Sequence, residues 1–186
     1  MRSALLALTL VVSVTAPTLG ARPHRVRPVD RASAEALRRG QDQSPLFREL
    51  VQALEASDLI VHVVATDDLP PRVDGATRFV ALLDGARYVR VTVRASLPGR
   101  QLVAMLAHEL QHARELAESG ARSAAAVRAL YRRIGTGSHG LDDGYETTAA
   151  IDAGLRVWDE LINPASPPRA TDAGEGPADD GGPRGG

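Results

Sequence analysis

The order of its segments predicts that the chain folds as a single α+β domain. A run dense in Val and Ile, residues 59–65, indicates a buried strand. Two alternating runs follow at residues 78–83 and 86–94, separated by Asp84-Gly85, a pair that favours a two-residue hairpin turn because both positions tolerate positive φ. Further segments with helical periodicity come after these strands rather than between them. Strands grouped apart from helices are typical of α+β folds.

Two helices are expected before the strands. The first covers residues 33–39, with Ser33 as its N-cap. The second begins at Ser44-Pro45 and extends to about Ser57, since Pro is favoured in the first helical turn. Its apolar residues recur at helical spacing: Leu46, Leu50, Val51 and Leu54.

Three helices are expected after the hairpin. The first opens at Ser96-Leu97-Pro98 and ends at Ser119-Gly120. The second covers residues 123–134 and is closed by Gly135, and the last covers residues 145–162. The apolar stripe of the first consists of Leu102, Met105, Leu106, Leu110, Ala113 and Leu116. In the last, the large apolar residues at helical spacing are Ile151, Leu155, Trp158 and Ile162.

The composition narrows the classes of function. The length of 186 residues suits one domain, and a net charge of −1 gives no electrostatic basis for binding nucleic acid or an anionic membrane. The chain has no Cys, so disulfides, zinc ribbons and Cys nucleophiles are excluded. A bound metal must therefore be held by His and carboxylates, a donor set typical of hydrolytic zinc sites. The sequence makes no prediction of oligomeric state.

The two ends of the chain differ in composition from its middle. A basic residue and an almost wholly apolar run at 4–14 are typical of a secretory signal peptide, so we expect residues 1–21 to be removed on export to a secreted or periplasmic location. The run is too short for a stable membrane span. Residues 22–32 are expected to be a linker, residues 33–162 the folded domain, and residues 163–186 a disordered tail rich in Pro, Gly and Asp.

The most informative motif is His108-Glu109-Leu110-Gln111-His112, an H-E-x-x-H pattern inside the first of the later helices. Histidines at i and i+4 lie on one helix face, so both imidazoles can bind one ion, and Zn²⁺ is the usual occupant. Glu109 lies where a general base can take a proton from a zinc-activated water. The motif therefore predicts His108 and His112 as zinc ligands and Glu109 as the catalytic residue.

A catalytic zinc site has three protein ligands, and Glu146 is the preferred third. It is expected to begin the last helix, which can pack across the motif helix. The small residues Ala149, Ala150 and Ala153 would allow the two helices to approach closely.

Other polar residues are alternatives for the third ligand. His139, in a Gly-containing loop, is the main one, and Asp142 and Asp143 are weaker loop candidates. Glu115 shares a helix face with His108 and His112, but a straight helix carries it about 10 Å along the axis from His108. Glu115 is therefore expected to orient His112, or to be solvated, rather than to bind the metal.

These features resemble the zincin metallopeptidases, and within them the gluzincins, which combine H-E-x-x-H on one helix with a Glu ligand on a following helix. The likeness covers roughly residues 59–162. It implies a minimal zincin-like fold: a small twisted, mostly antiparallel sheet packed on the motif helix and the helices that follow. It also implies that His108, His112 and Glu146 bind zinc and that Glu109 is general base and proton shuttle.

The sequence departs from the family pattern at defined positions. Gluzincins commonly have an acid four residues after the ligand Glu, where this chain has Ala150. A hydrophobic residue is usual two places after the second His, where this chain has Arg114. The Gly and third His of the metzincins are absent after His112.

The resemblance implies an exported zinc metallopeptidase that hydrolyses peptide bonds in a protein or peptide substrate. An extended substrate is expected to pair with an edge strand near the motif helix, for which residues 86–94 are the candidate. His139, Tyr145 and Tyr131 are the candidates to donate a hydrogen bond to the oxyanion. Two alternatives stay open: a zinc hydrolase acting on a non-peptide amide of the cell envelope, and a non-catalytic exported metal-binding module.

Overall fold

The described residues, 24–136 and 145–163 of a computed structural model, form a four-stranded sheet and five helices. The predicted signal peptide, the loop with His139, Asp142 and Asp143, and nearly all of the predicted tail lie outside the described residues. The elements in chain order are β1 (Val26–Pro28), α1 (Arg31–Gln43), α2 (Pro45–Glu55), β2 (Leu59–Thr66), β3 (Gly75–Leu83), β4 (Ala86–Arg94), α3 (Gly99–Ser119), α4 (Ala124–Ile134) and α5 (Thr148–Ile162). The α+β class is confirmed.

The sheet is mixed, with strand order β1-β2-β4-β3, so the expectation of a mostly antiparallel sheet is wrong. β1 pairs with β2 in parallel and β2 pairs with β4 in parallel, whereas β3 and β4 are antiparallel. The reason is that the β3–β4 hairpin joins the rest of the sheet through its second strand. β4 pairs with β2, and β3 is the edge strand. β4 is therefore an interior strand, and the prediction of residues 86–94 as the substrate-binding edge is also wrong.

The predicted hairpin turn is confirmed. Asp84 and Gly85 both have positive φ, 50° and 78°, which is what a tight two-residue turn between antiparallel strands requires. The predicted alternation in β4 is confirmed too, since Val89, Val91 and Val93 are fully buried.

The first helix begins earlier than expected. Asp30 is its N-cap and accepts a hydrogen bond from the backbone N–H of Ser33, while the Ser33 side chain accepts from the Asp30 backbone in a capping box. The expected linker at residues 22–32 therefore differs from the structure, because its described part supplies β1 and the start of α1.

α3 lies at the centre of the core and ends as predicted, at Gly120 in the left-handed conformation with φ of 67°. Its predicted stripe is buried, apart from Met105, which is half-buried. The stripe packs against the valines of β2 and β4 and against Leu50 and Leu54 of α2 in one core cluster. Within the described part of the chain, no helix combines the length and apolarity needed to cross a bilayer.

The first half of α5 packs closely on α3 through small residues. The buried residues of the whole helix are Ala150, Ala153, Val157 and Leu161. Gly154 lies so close to α3 that an added Cβ would be 3.4 Å from the Ala104 carbonyl oxygen and from the Cβ of His108. The close approach predicted from Ala149, Ala150 and Ala153 is thus observed at Ala150 and Ala153, whereas Ala149 is exposed. Among the large apolar residues, Leu161 is buried, but the four that form the predicted helical pattern are exposed: Ile151, Leu155, Trp158 and Ile162.

Candidate metal centre

α3 and the segment before α5 bring three predicted metal ligands together. One donor atom each from His108, His112 and Glu146 lies within 4.8 Å of the other two. His108 Nε2 is 3.3 Å from Glu146 Oε2. With metal–ligand bonds of about 2.0–2.1 Å, neighbouring donors around tetrahedral zinc are about 3.3 Å apart. The three residues could therefore hold a metal ion, and the His108–Glu146 pair has the donor spacing found around tetrahedral zinc.

Glu146 precedes α5 instead of beginning it, which corrects the predicted start of the last helix. Thr147 is the N-cap, and its hydroxyl accepts a hydrogen bond from the Ala150 backbone N–H at 3.1 Å. The backbone carbonyl of Glu146 accepts from the N–H of Thr136 at 2.9 Å. The Glu146 backbone is thus held between the end of α4 and the start of α5.

Glu115 contacts residues from both segments that form the centre, α3 and the start of α5. Its Oε2 is 3.0 Å from Nδ1 of His112, and its Oε1 accepts a 2.6 Å hydrogen bond from the hydroxyl of Thr147. This is the expected arrangement in which a carboxylate orients a His and leaves Nε2 for a metal. Because Thr147 follows Glu146 directly, Glu115 also fixes the segment that carries the third donor.

Glu109 is directed toward β3 and is only 4% exposed. The hydroxyl of Thr77 lies 2.7 Å from its Oε2 and 2.9 Å from its backbone carbonyl oxygen. A Cβ added at Gly75 would collide with the same carboxylate, at 2.9 Å from its Cδ. Gly75 and Thr77 therefore define the space that the Glu109 carboxyl occupies.

The electrostatics of the centre reflect carboxylates grouped around two imidazoles. Burial raises the pKa of the Glu109 carboxyl above its usual 4.5, although His112 and His108 oppose this. Burial would lower the pKa of His108, but the hydrogen bond to Glu146 and the charge of Glu109 outweigh it, so the pKa is raised above 6.5. Burial would raise the pKa of Glu115, yet its hydrogen bonds with His112 and Thr147 dominate and lower it.

The two described candidates for an oxyanion donor differ in their contacts. The hydroxyl of Tyr131 is buried and donates to the backbone carbonyl of His112 at 3.1 Å. Tyr131 therefore packs against His112, and burial raises the pKa of its hydroxyl far above the usual 10.0. Tyr145 is half-buried and stacks on Tyr131 with ring centroids 5.2 Å apart. The Tyr131 hydroxyl already donates to the backbone, so of these two residues Tyr145 is the one that stays a candidate oxyanion donor.

Three residues of the centre were not predicted from the sequence: Gly75, Thr77 and Thr147. A Thr two residues before a run of Ala is a recognisable N-cap signal, so Thr147 could have been found. Gly75 and Thr77 give no such signal, because their contact with Glu109 depends on β3 lying beside α3 in the folded chain.

No protein-family model, curated protein or solved structure matches this chain. What the centre can do therefore follows from its own donor atoms, their spacing and their burial.

Proposed function

We propose that the chain is an exported zinc metallopeptidase with a minimal zincin-like fold. In this proposal His108, His112 and Glu146 bind Zn²⁺, and Glu109 is the general base. The observation that carries the proposal is the convergence of three donor atoms within 4.8 Å beside a buried carboxylate. A bound Zn²⁺ supplies Lewis acidity, which polarises a carbonyl and makes water a stronger acid.

An ordinary ion pair accounts for less of the geometry than a metal does. His108 and Glu146 could pair on their own at 3.3 Å. That pair does not explain why the third donor, His112, is held in one orientation by Glu115. A neutral imidazole ligand with its second nitrogen fixed by a carboxylate is the usual arrangement around zinc.

Glu109 is suited to carry a proton between water and the leaving amine. Burial raises the pKa of the Glu109 carboxyl above its usual 4.5, the direction that favours a group that both accepts and donates a proton. The Thr77 hydroxyl, 2.7 Å from Oε2, holds the carboxyl in place. The carboxyl fits there because Gly75 has no side chain. Positioning of this kind reduces the reorganisation that proton transfer would otherwise need.

β3 is the strand on which we expect an extended peptide to bind. It is the outer strand beside β4, and its residues Gly75 and Thr77 contact Glu109. A peptide that pairs with this edge acquires backbone hydrogen bonds and lies next to the general base. Tyr145 is the described residue that we propose as a donor to the oxyanion.

The direct test replaces Glu109 with Gln, which keeps the size of the side chain and removes its basicity. We expect hydrolysis of a casein-type substrate to fall by about 10²- to 10⁴-fold while bound zinc stays at the wild-type level. The matched control is Glu118→Gln on the same helix, because Glu118 is exposed and pairs with Arg114. If Glu109→Gln hydrolyses the substrate at the rate of this control, the general-base assignment is wrong.

A further inference from the structure

A row of basic side chains crosses the sheet on the face opposite the buried valines. Arg27 of β1 is in register with His62 of β2, His62 with Arg90 of β4, and Arg90 with Arg78 of β3. Residues in register on neighbouring strands share a face, so these four form one line, here called the basic row. With strands about 4.8 Å apart, the basic row is about 14 Å long.

The basic row is not neutralised by acids in the described part of the chain. Arg78 and Arg90 are exposed, and neither forms an ion pair there, whereas nearby Arg94 pairs with Asp74 at 2.9 Å. Like charges directly opposite each other on neighbouring strands are destabilising. The pairing of Arg78 with Arg90 therefore gives folding no benefit, and it suits an anionic partner.

The basic row ends at the strand edge beside the candidate centre. Arg78 follows Thr77, whose hydroxyl is 2.7 Å from the Glu109 carboxylate. In the described part of the chain, the backbone hydrogen bonds outside helices and sheet ladders involve no residue of β3. Its outer edge can therefore accept another strand next to Glu109.

We propose that Arg78 selects substrates with an acidic side chain within about two residues of the cleaved bond. This inference rests on the proposed metallopeptidase function. A peptide added to β3 extends the sheet by one strand, so its residue opposite Arg78 projects onto the open face as the next member of the basic row. The neighbouring residues of the peptide project toward Thr77 and Glu109. A carboxylate opposite Arg78 would face an opposite charge at cross-strand distance, where charge pairs stabilise a sheet.

The test digests a mixed pool of peptides and identifies the cleaved bonds by mass spectrometry. With the wild-type chain we expect Asp and Glu to be enriched about fivefold over Lys and Arg at one position within two residues of the cleaved bond. Arg78→Glu should reverse this preference. Arg27→Glu is the matched control, since it changes the charge equally in the same row but on β1, at the opposite edge of the sheet.

Each other outcome overturns the inference in a different way. Cleavage without acidic enrichment refutes the role of Arg78 and leaves the metallopeptidase function intact. Equal loss of the preference in Arg78→Glu and Arg27→Glu shows that the whole basic row attracts anions, so Arg78 does not select. If the wild-type chain cleaves no peptide in the pool, the metallopeptidase function fails and the inference fails with it.

A binding measurement gives the same comparison without catalysis. The best-cleaved acidic peptide is titrated into the zinc-loaded Glu109→Gln variant, with and without Arg78→Glu. We expect Arg78→Glu to weaken binding about fivefold or more. Unchanged affinity would contradict the proposed contact.

Discussion

Two polar clusters lie along α3, and they differ in how their charges are balanced. At the C-terminal end, the guanidinium of Arg87 is 2% exposed and all five of its N–H groups have acceptors. Two bonds go to the carboxylate of Asp58, and three go to the backbone carbonyls of Leu116, Ala117 and Ala121. This Arg87 cluster is complete within the protein, and it ties β4 to the end of α3.

The candidate metal centre is rich in carboxylates instead. Three carboxylates, those of Glu109, Glu115 and Glu146, surround two imidazoles. A cation bound by His108, His112 and Glu146 would offset this negative charge. The comparison teaches that buried charge alone does not indicate function: the Arg87 cluster supplies its own counter-charge, whereas the proposed metal centre would receive one from a bound cation.

The largest expected effect is on stability, at the Arg87 cluster. Arg87→Leu removes the partner of Asp58 and leaves three carbonyls without their donor. We expect the free energy of unfolding to fall by about 3 kcal/mol, the low end for a broken buried pair because Asp58 is 40% exposed. Chemical denaturation measures it, with the exposed Arg90→Leu on the same strand as a control that changes stability by less than about 0.5 kcal/mol. A loss no greater than that of the control would show that the Arg87 cluster is not a stabilising one.

The next effect separates the two clusters by their response to zinc. Glu115→Gln keeps the shape of the side chain but weakens its hold on His112 and Thr147. We expect zinc affinity to fall by about 10- to 100-fold, as is typical when a group that orients a metal-binding His is lost. Competition with a chelator measures the affinity, and Arg87→Leu should leave it unchanged in the folded fraction. If Glu115→Gln binds zinc with wild-type affinity, Glu115 does not support the proposed metal centre.

The smallest effect is a pH dependence of the Arg87 cluster. Hydrogen bonds from Arg87 lower the pKa of Asp58 below its usual 3.8. A lowered carboxyl pKa adds stability that is present above pH 3.8 and is lost as the pH falls through the folded-state pKa. Because Asp58 is partly exposed, we expect less than about 1 kcal/mol. The stability gap between wild type and Asp58→Asn should shrink below about pH 4, and a constant gap would refute the assignment.

Local features of the fold were predictable because local chemistry determines them. Asp84-Gly85 specified the hairpin turn, Gly120 the end of α3, and the alternating valines of β4 its buried face. The relative placement of His108 and His112 followed from helical periodicity alone. These signals need no knowledge of distant parts of the chain.

Features that depend on distant contacts were missed. Alternation in β4 does not reveal whether its neighbour runs parallel, so the pairing with β2 and the outer position of β3 could not be read from the sequence. In α5 the larger residues gave the stronger apolar pattern. α3 and α5 approach so closely at Gly154 that only small side chains fit beside His108. Trp158 and Leu155 of α5 are therefore exposed.

The most direct test of the metal centre is the binding of zinc itself. The chain is stripped with a chelator and titrated with zinc, while bound metal and the unfolding temperature are followed. We predict one zinc per wild-type chain and a raised unfolding temperature, because a ligand that binds the folded state stabilises it. His108→Ala and Glu146→Ala should each lose most of both effects. A wild-type chain that binds zinc no better than these variants, with no rise in unfolding temperature, would contradict the account.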